Sequence, residues 1–528
     1  SYRQRCIGAP EHPTAMHRRP PPVGSAAISP RTPYHARRRY HSYVLAVAAV
    51  ATAYLPAPPV VALVLPAGPL SALRRARLDR TAASAPRLSA APDPVGGPSP
   101  VLRENADALR HMSRLSLAPM MEYTDRHLRH VVRLMSRRTL LYTEMAPAGA
   151  LAYEMNALRT HDGAEGPYDD YAIRRFLSQA REGEGHEHPG NVLQLGGSCP
   201  VQLGEASALA SNAPKDSAGR PLYRYSALNL NCGCPSEKVA GKGSFGAALM
   251  SDPQKVRELC AAMHEGSDRS TPVTVKCRIG TDAMHGGDAR PSDSAMLSGL
   301  CRFLEEVASG GLVTDFQVHA RLAVLGKSYS PTQNRNVPPL RYDVVRRAAE
   351  RYPELTLHLN GGVNSLFEAR EALDDGLLGG VMVGRSLAAD PWGWACADRV
   401  LYGDADPPPV RSRWDLLEKY GAHADAEEEY WGAEKIRRRV LKPIQALFAG
   451  ERFTKRYRIA LDEIGGRPKA VRLGKAQEDG RPLSEMILEA AAACLDEEVL
   501  RSSPEEGLER ATAAAEAGVL GGRTGAVR

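Results

Sequence analysis

The apolar run from Tyr43 to Leu55 is about 13 residues long, and Pro56, Pro58 and Pro59 close it. A bilayer needs about 20 such residues, so this run cannot serve as a stable membrane span by itself. Cysteine forms no framework: Cys6, Cys199, Cys232, Cys234, Cys260, Cys277, Cys301, Cys396 and Cys494 are an odd, scattered set in a chain of 528 residues. That excludes a disulfide scaffold and points to a reducing compartment. Cys232 and Cys234 form a C-x-C with no second pair at zinc spacing, so no metal is expected. A basic body is lacking too. Of 68 Lys and Arg, 13 lie in residues 1–100 against 3 acids, and the remainder of the chain holds 55 basic and 58 acidic groups. Any nucleic-acid contact must then come from a local patch, because counterion release depends on where the cations sit.

What is present divides the chain. Residues 1–100 are rich in Ala, Pro and Arg, with Arg37-Arg38-Arg39 ahead of the apolar run and Arg74, Arg75, Arg77, Arg80 and Arg87 after a second one. A signal-like segment followed by a transit-like one predicts a bipartite organelle presequence, with a plastid as destination. The alternatives are a mitochondrion, the cytoplasm, or a disordered extension with no targeting value. The sequence begins at Ser1, so further residues are expected upstream.

From Arg114 onward, short apolar segments alternate with stretches of helical period. Strands are predicted at Arg114 to Pro119, Thr139 to Met145, Asn191 to Leu195, Ala227 to Asn231, Val273 to Arg278, Phe316 to His319, Thr356 to Asn360 and Gly380 to Gly384. Helices are predicted at Asp125 to Met135, Pro200 to Ala210, Pro253 to His264, Asp293 to Ala308, Tyr342 to Tyr352, Leu366 to Leu373 and Pro391 to Val400. Eight βα units argue for a (β/α)8 TIM barrel over an open doubly wound sheet. Barrel chemistry sits at the C-terminal strand ends. Those ends carry Glu144, Gln194, Asn231, Cys234, Lys276 and His319, a mixture that a purely structural rim would not need. Together they read as a cofactor pocket.

The ordered blocks APMMEYTDRHLRHVVRLMSRRTLLYTEM, LQLGGSCP, LNLNCGCPSEKVAGKGSFGAALM, PVTVKCRIG, VHAR, SPTQNRNVPPL, LHLNGGV and VMVGR resemble the bacterial A-type tRNA-dihydrouridine synthases, from about Arg114 to about Asp462. The resemblance implies bound FMN, NADPH as a transient electron donor, and reduction of uridine in the tRNA D-loop near position 20. It implies FMN contacts from Ala118, Pro119, Met120, Gln194, Asn231, Lys276, His319, Asn360, Gly361, Gly362, Gly384 and Arg385, with Cys234 as the proton donor. Elementary chemistry agrees. Glycines after the seventh and eighth strands expose backbone N–H groups to a phosphate, and Arg385 adds charge-assisted bonds. Lys276 offers a cation to an anionic flavin, while Gln194 can both donate to and accept from its edge. Saturating a uracil double bond needs a hydride and a proton, and a thiol, with an ordinary pKa of about 8.5, carries a proton near neutrality. Cys232 is expected to be a bystander.

The family's helical C-terminal domain implies tRNA contacts at Arg321, Arg335, Arg437, Arg438, Lys455, Arg456 and Arg458. Lys435 to Arg458 holds nine Lys or Arg against Glu451 alone. Its apolar residues recur at helical spacing, so Arg437, Arg438 and Lys442 are expected to face outward. The resulting domains are a presequence at 1–100, the barrel at 113–400, a helical tRNA-binding domain with an acidic insertion at 401–465, and a partly disordered tail at 466–528, in a chain expected to be monomeric. Two departures stand out: Leu322-Ala323-Val324 replaces a Lys-Ala-Trp-type run, and residues 401–434 read as an insertion. Gly241 to Gly246 fits G-x-G-x-x-G but does not follow its strand directly, so an active-site lid is expected there and not a dinucleotide fold. Two rivals remain. A small-molecule flavin reductase would have no use for the basic C-terminal helix, and a non-catalytic tRNA-binding factor would have none for Cys234, Lys276 and His319.

Overall fold

The structure, a computed structural model, describes residues 100–160, 176–177, 190–213, 223–236, 245–325, 329–477 and 479–509. The chain divides into Ser1–Ala83 and Ser84–Arg528. The presequence expectation, residues 241–244 of the lid expected at Gly241 to Gly246, and the last part of the tail lie outside the described residues.

The strands are β1 (Leu115–Leu117), β2 (Leu140–Tyr142), β3 (Ala146–Pro147), β4 (Asn191–Gly196), β5 (Ala227–Asn231), β6 (Val273–Arg278), β7 (Asp315–His319), β8 (Thr356–Asn360) and β9 (Gly380–Val383). All pair in parallel, β1 joins β9, and β2 joins β4, so eight of them close into a barrel with β3 as a short continuation at its rim. The expected TIM barrel is therefore present. Side chains alternate in and out along each strand. Outward residues such as Leu193, Leu195, Leu228, Leu230, Val275 and Val318 are fully buried under the helices, which is why every second position of these strands is apolar.

In chain order the helices are α1 (Pro100–Met112), α2 (Arg126–Met135), α3 (Ala148–Thr160), α4 (Pro200–Ser211), α5 (Pro253–Gly266), α6 (Asp293–Ala308), α7 (Gln333–Asn336), α8 (Tyr342–Arg351), α9 (Leu366–Leu373), α10 (Arg385–Ala389) and α11 (Ala397–Tyr402). Their starts are capped as the sequence suggests: Asp125, Asp252, Ser292 and Ser365 accept from N–H groups of the first turn. Leu109 of α1, with Met112 beside it, packs on Leu140, Tyr142, Val192, Ala227 and Met382, plugging one end of the barrel with apolar side chains.

Two boundaries differ from expectation. The segment Thr139 to Met145 leaves the strand after Tyr142, and Glu144 turns to accept the Glu122 N–H at 2.5 Å. The helix expected over Pro391 to Val400 is a 3-10 turn, Trp392–Trp394, followed by α11, because the Asp390 carboxylate accepts the Gly393 N–H and tightens the chain there.

The C-terminal region consists of α12 (Arg413–Trp431), α13 (Ala433–Ile444), α14 (Thr454–Arg472), α15 (Leu483–Cys494) and α16 (Glu497–Arg501). Within residues 401–434, read as an acidic insertion, α12 buries Leu416, Leu417, Tyr420 and Ala424. A Cβ on its Gly421 would lie 2.7 Å from the Ser484 Cβ, so α12 and α15 approach closely, and Ser484 donates to the Asp425 carboxylate there. The boundary expected at 465 falls inside α14, and α15 beyond it buries Met486, Ile487, Ala490 and Ala491.

Candidate active site

Period-two alternation points Gln194, Asn229, Asn231, Thr274, Lys276, Arg278, Gln317, His319, His358 and Asn360 into the barrel. The interior is thus polar above its apolar plug. A buried polar group must find a partner, and here the amides find one another. Asn231 Nδ2 donates to Gln194 Oε1 at 3.0 Å, Gln194 Nε2 to Asn229 Oδ1 at 2.8 Å, and Asn229 Nδ2 to Gln317 Oε1 at 2.9 Å. Gln317 Nε2 ends the relay on Asp315, whose other oxygen lies 2.9 Å from His358 Nε2. Asn229 Nδ2 also reaches Thr274 Oγ1 at 2.8 Å.

At the head of the relay, Asn231 Oδ1 accepts the N–H groups of Gly233 and Cys234 at 3.0 and 3.1 Å. Arg278 holds the other side of this loop, donating from Nε to the Gly233 carbonyl at 2.9 Å and from one terminal nitrogen to the Leu322 and Asn334 carbonyls. Burial brings the Arg278 guanidinium down to about 10. The Cys234 side chain is partly exposed whereas Cys232 is fully buried among apolar neighbours, which pushes its thiol well up and leaves it inert. Of the two thiols, only Cys234 faces the rim.

Lys276 donates to Asn360 Oδ1 at 2.9 Å, and Asn360 Nδ2 donates to the Met382 carbonyl. Burial, then the Arg278 charge, lowers the Lys276 ammonium to about 8. Burial and the charges of Arg278, Lys276, Arg321 and Arg385 hold the His319 imidazole well below its usual range, so it is neutral. Arg385 donates to Asn336 Oδ1 at 2.8 Å and Arg321 to the Pro338 carbonyl. Four cations thus share one rim and donate to neutral acceptors, an arrangement suited to an anion. Gly361 and Gly362 take φ of +105 and +78, and a Cβ on them would meet His319 at 2.6 Å and Leu340 at 2.4 Å, so only glycine fits. A Cβ on Gly384 would meet the Met120 sulfur at 2.9 Å, and the Ala118 N–H is bound to the Val383 carbonyl. Ala118, Pro119, Met120, Gln194, Asn231, Cys234, Lys276, His319, Asn360, Gly361, Gly362, Gly384 and Arg385 therefore all come together at the C-terminal strand ends.

The arginine-rich region behaves less uniformly. Arg438, Lys455, Arg456 and Arg458 are exposed on α13 and α14, and Arg335 is exposed on α7. Arg437 is not outward, contrary to the helical-wheel expectation. It is 5% exposed, and both its Nε and a terminal nitrogen bind Glu428 at 2.6 Å. The cause is that α13 packs against α2, α12 and α14, so its buried arc takes in Ile436, Arg437, Val440, Leu441 and Ile444, wider than a one-sided stripe. Leu322, Ala323 and Val324 are buried in the loop that follows β7, where Ala323 bridges to Thr281.

Sequence reasoning placed Glu144 at a strand end but missed its hold on the Glu122 N–H, the Arg278 clamp and the relay through Asn229, Gln317 and Asp315. The signal was present as polar residues two apart, Asn229/Asn231, Gln317/His319 and His358/Asn360, within otherwise apolar strands. Also missed was a polar contact between α2 and α12. His127, His423 and Glu427 each bring one ligand-type atom within 4.8 Å of the others, with the Glu427 carboxylate held by Arg126.

Comparison with known proteins adds identity to this geometry. The chain is 39% identical over 311 residues to the tRNA-dihydrouridine(20/20a) synthase of Salmonella typhi, covering 58% of this chain and 79% of that one. It is 37% identical over 341 residues to the enzyme of that name from Pseudomonas putida (64% and 86% covered) and 38% identical over 311 residues to that from Escherichia coli K12 (58% and 76% covered). The dihydrouridine synthase (Dus) family matches residues 116–478, taking in the barrel, the rim and the helices that follow it, and the chain belongs to that family.

Proposed function

We propose that this chain is an FMN-dependent, NADPH-driven tRNA-dihydrouridine synthase acting in the D-loop at positions 20 and 20a, with Cys234 as the proton donor. The positions are those in the names of its relatives. The observation that carries the reading is a partly exposed thiol whose backbone N–H is held by Asn231 beside an amide- and cation-lined rim. The donor set fits FMN. Gly361 and Gly362 leave a cradle that a Cβ would fill, Arg385 and Arg321 would supply charge for its phosphate, and Lys276 and Asn360 would help to hold it at the strand ends. When bound, FMN supplies the hydride for one carbon of the uracil double bond.

The chain's own residues do the rest. The Cys234 thiol gives its proton to the neighbouring carbon, and Asn231 with Arg278 holds the Gly233–Cys234 turn so that the sulfur keeps one position. The Lys276 ammonium favours negative charge developing beside it, and neutral His319 can donate a hydrogen bond without adding to the cationic field. Exposed Arg335, Arg438, Lys455, Arg456 and Arg458 bind tRNA phosphates, which set register without reading sequence. The target uridine is flipped from the tRNA to reach the barrel mouth.

The test is the visible spectrum of the purified chain, followed by assay of dihydrouridine in unmodified tRNA with NADPH for wild type and Cys234→Ala. A yellow protein that forms dihydrouridine, and an alanine variant at least 100-fold slower on tRNA whose flavin NADPH still bleaches, are expected. A yellow protein that oxidises NADPH and leaves tRNA unchanged would refute the reading in favour of a small-molecule reductase.

A further inference from the structure

The turn that follows β1 places Met121 and Tyr123 outward, each 51% exposed, beside the rim that Pro119 and Met120 begin. Between them Glu122 takes φ +65, in the left-handed region that a side chain other than glycine enters only when held there. It is held from two directions. Buried Glu144, at the end of β2, accepts the Glu122 N–H at 2.5 Å, and the Lys442 ammonium of α13 donates to the Glu122 carbonyl at 2.6 Å. The base of the turn is closed by Thr124, whose Oγ1 accepts the Met120 N–H at 2.8 Å and whose own N–H reaches the Met120 carbonyl at 3.0 Å. The same ammonium stands over one face of the Tyr123 ring, 4.3 Å from its centroid.

Two groups from separate parts of the fold thus fix a strained turn, and what the turn presents is an aromatic face, a thioether and a cation. An incidental surface tyrosine would need no such support. An exposed aromatic ring with a cation over one face suits a nucleobase, since every base can stack on the opposite face and Lys442 can meet a carbonyl or phosphate oxygen at the ring edge. The location selects the occupant: the turn lies where the rim of the barrel meets the helix that carries Arg438 and Lys442.

We propose that Met121 and Tyr123 form a stacking ledge for the unpaired base next to the target uridine, so that the ledge keeps that neighbour in place while the uridine enters the barrel. The proposal rests on the synthase reading above. It makes Tyr123 a substrate-binding residue whose effect is confined to RNA.

The test uses the full flavin-loaded chain with an unmodified tRNA transcript, in wild type, Tyr123→Ala and Tyr123→Trp. Three quantities are read: kcat/KM for dihydrouridine, the rate of flavin reduction by NADPH without tRNA, and the fluorescence of a transcript carrying 2-aminopurine beside the target uridine. Expected are a loss of roughly tenfold or more in kcat/KM for Tyr123→Ala, recovery in Tyr123→Trp, unchanged flavin reduction in both, and 2-aminopurine quenching that disappears with the alanine alone. Wild-type kcat/KM in Tyr123→Ala overturns the proposal. So does an equal loss in both variants accompanied by slower flavin reduction, which would mean that the ring only supports the turn. A wild type that quenches 2-aminopurine but forms no dihydrouridine refutes the synthase reading and keeps the ledge; one that does neither removes both.

Discussion

Asn231 uses both ends of its side chain, Nδ2 toward Gln194 and Oδ1 toward the Gly233 and Cys234 N–H groups. Which way an amide faces is decided by its neighbours, and beside the Met145 sulfur and the Thr274 hydroxyl each successive partner along the relay is another amide until Asp315, a carboxylate that only accepts when ionised. The carboxylate at the foot therefore sets the orientation of each amide above it, and finally of the acceptor that positions Cys234. Gln317→Leu breaks the relay at its middle. It is expected to lower kcat for dihydrouridine several-fold and to change the rate at which iodoacetamide alkylates Cys234, read by mass spectrometry, while the protein remains folded and yellow. Unaltered alkylation and kcat would show that the relay is packing alone. A second prediction concerns Lys276, whose ammonium is lowered to about 8. It is charged below that pH and neutral above it, so affinity for anionic reduced flavin is expected to fall as pH rises through about 8. Lys276→Met should flatten that profile, as measured by flavin retention or by the flavin's reduction potential against pH.

Between elements, α2 and α12 meet through imidazoles. His127 Nδ1 lies 3.0 Å from His423 Nε2, and His130 stacks on His423 with centroids 4.3 Å apart. Burial is the main cause that lowers His130 to about 3 and His423 to about 4, and it holds His127 well below its usual value. These folded-state values lie below the unfolded one. As pH falls from about 6.5 toward 4 the unfolded chain therefore takes up protons that the folded chain refuses, and stability drops by up to about 1.4 kcal/mol per pH unit for each histidine. The thermal midpoint is expected to decline through that window, and His423→Phe should shallow the decline; a midpoint flat from pH 6.5 to 4 would contradict the assignment. The arginines of α13 and α14 separate by the same reasoning about burial. Arg437→Ala leaves the partly buried Glu428 without its bidentate partner and is expected to cost about 3 kcal/mol of stability. By contrast, substitution of exposed Arg456 or Arg458 should leave the thermal midpoint within a degree or two and raise KM for tRNA.

For the whole molecule, a basic face stands on a body with 55 basic and 58 acidic groups beyond residue 100. Affinity for tRNA should then be strongly salt-dependent even though the body is close to neutral. Replacing Lys455, Arg456 and Arg458 together with alanine is expected to reduce the slope of log K against log salt by roughly 2 to 3, measured by filter binding between 50 and 200 mM salt, without slowing flavin reduction. The barrel was legible from the chain because each strand buries both faces and is bounded by turns, so composition and period mark β5, β6 and β8 to the residue. The rim residues were legible too, since a barrel strand's C-terminal end is a sequence position as much as a place. The fate of Arg437, the packing of α12 and α15, and the relay joining Gln194 to Asp315 were not legible, because each depends on how many neighbours an element meets and from which side. Local pattern determines where a strand runs and which residues alternate inward, as those are properties of one segment's backbone. Whether an inward or outward side chain finds a charge, an amide or solvent was decided only in the tertiary structure, because its partners come from segments 35 to 88 residues away where the relay passes between strands and 320 residues away at Lys442 and Glu122.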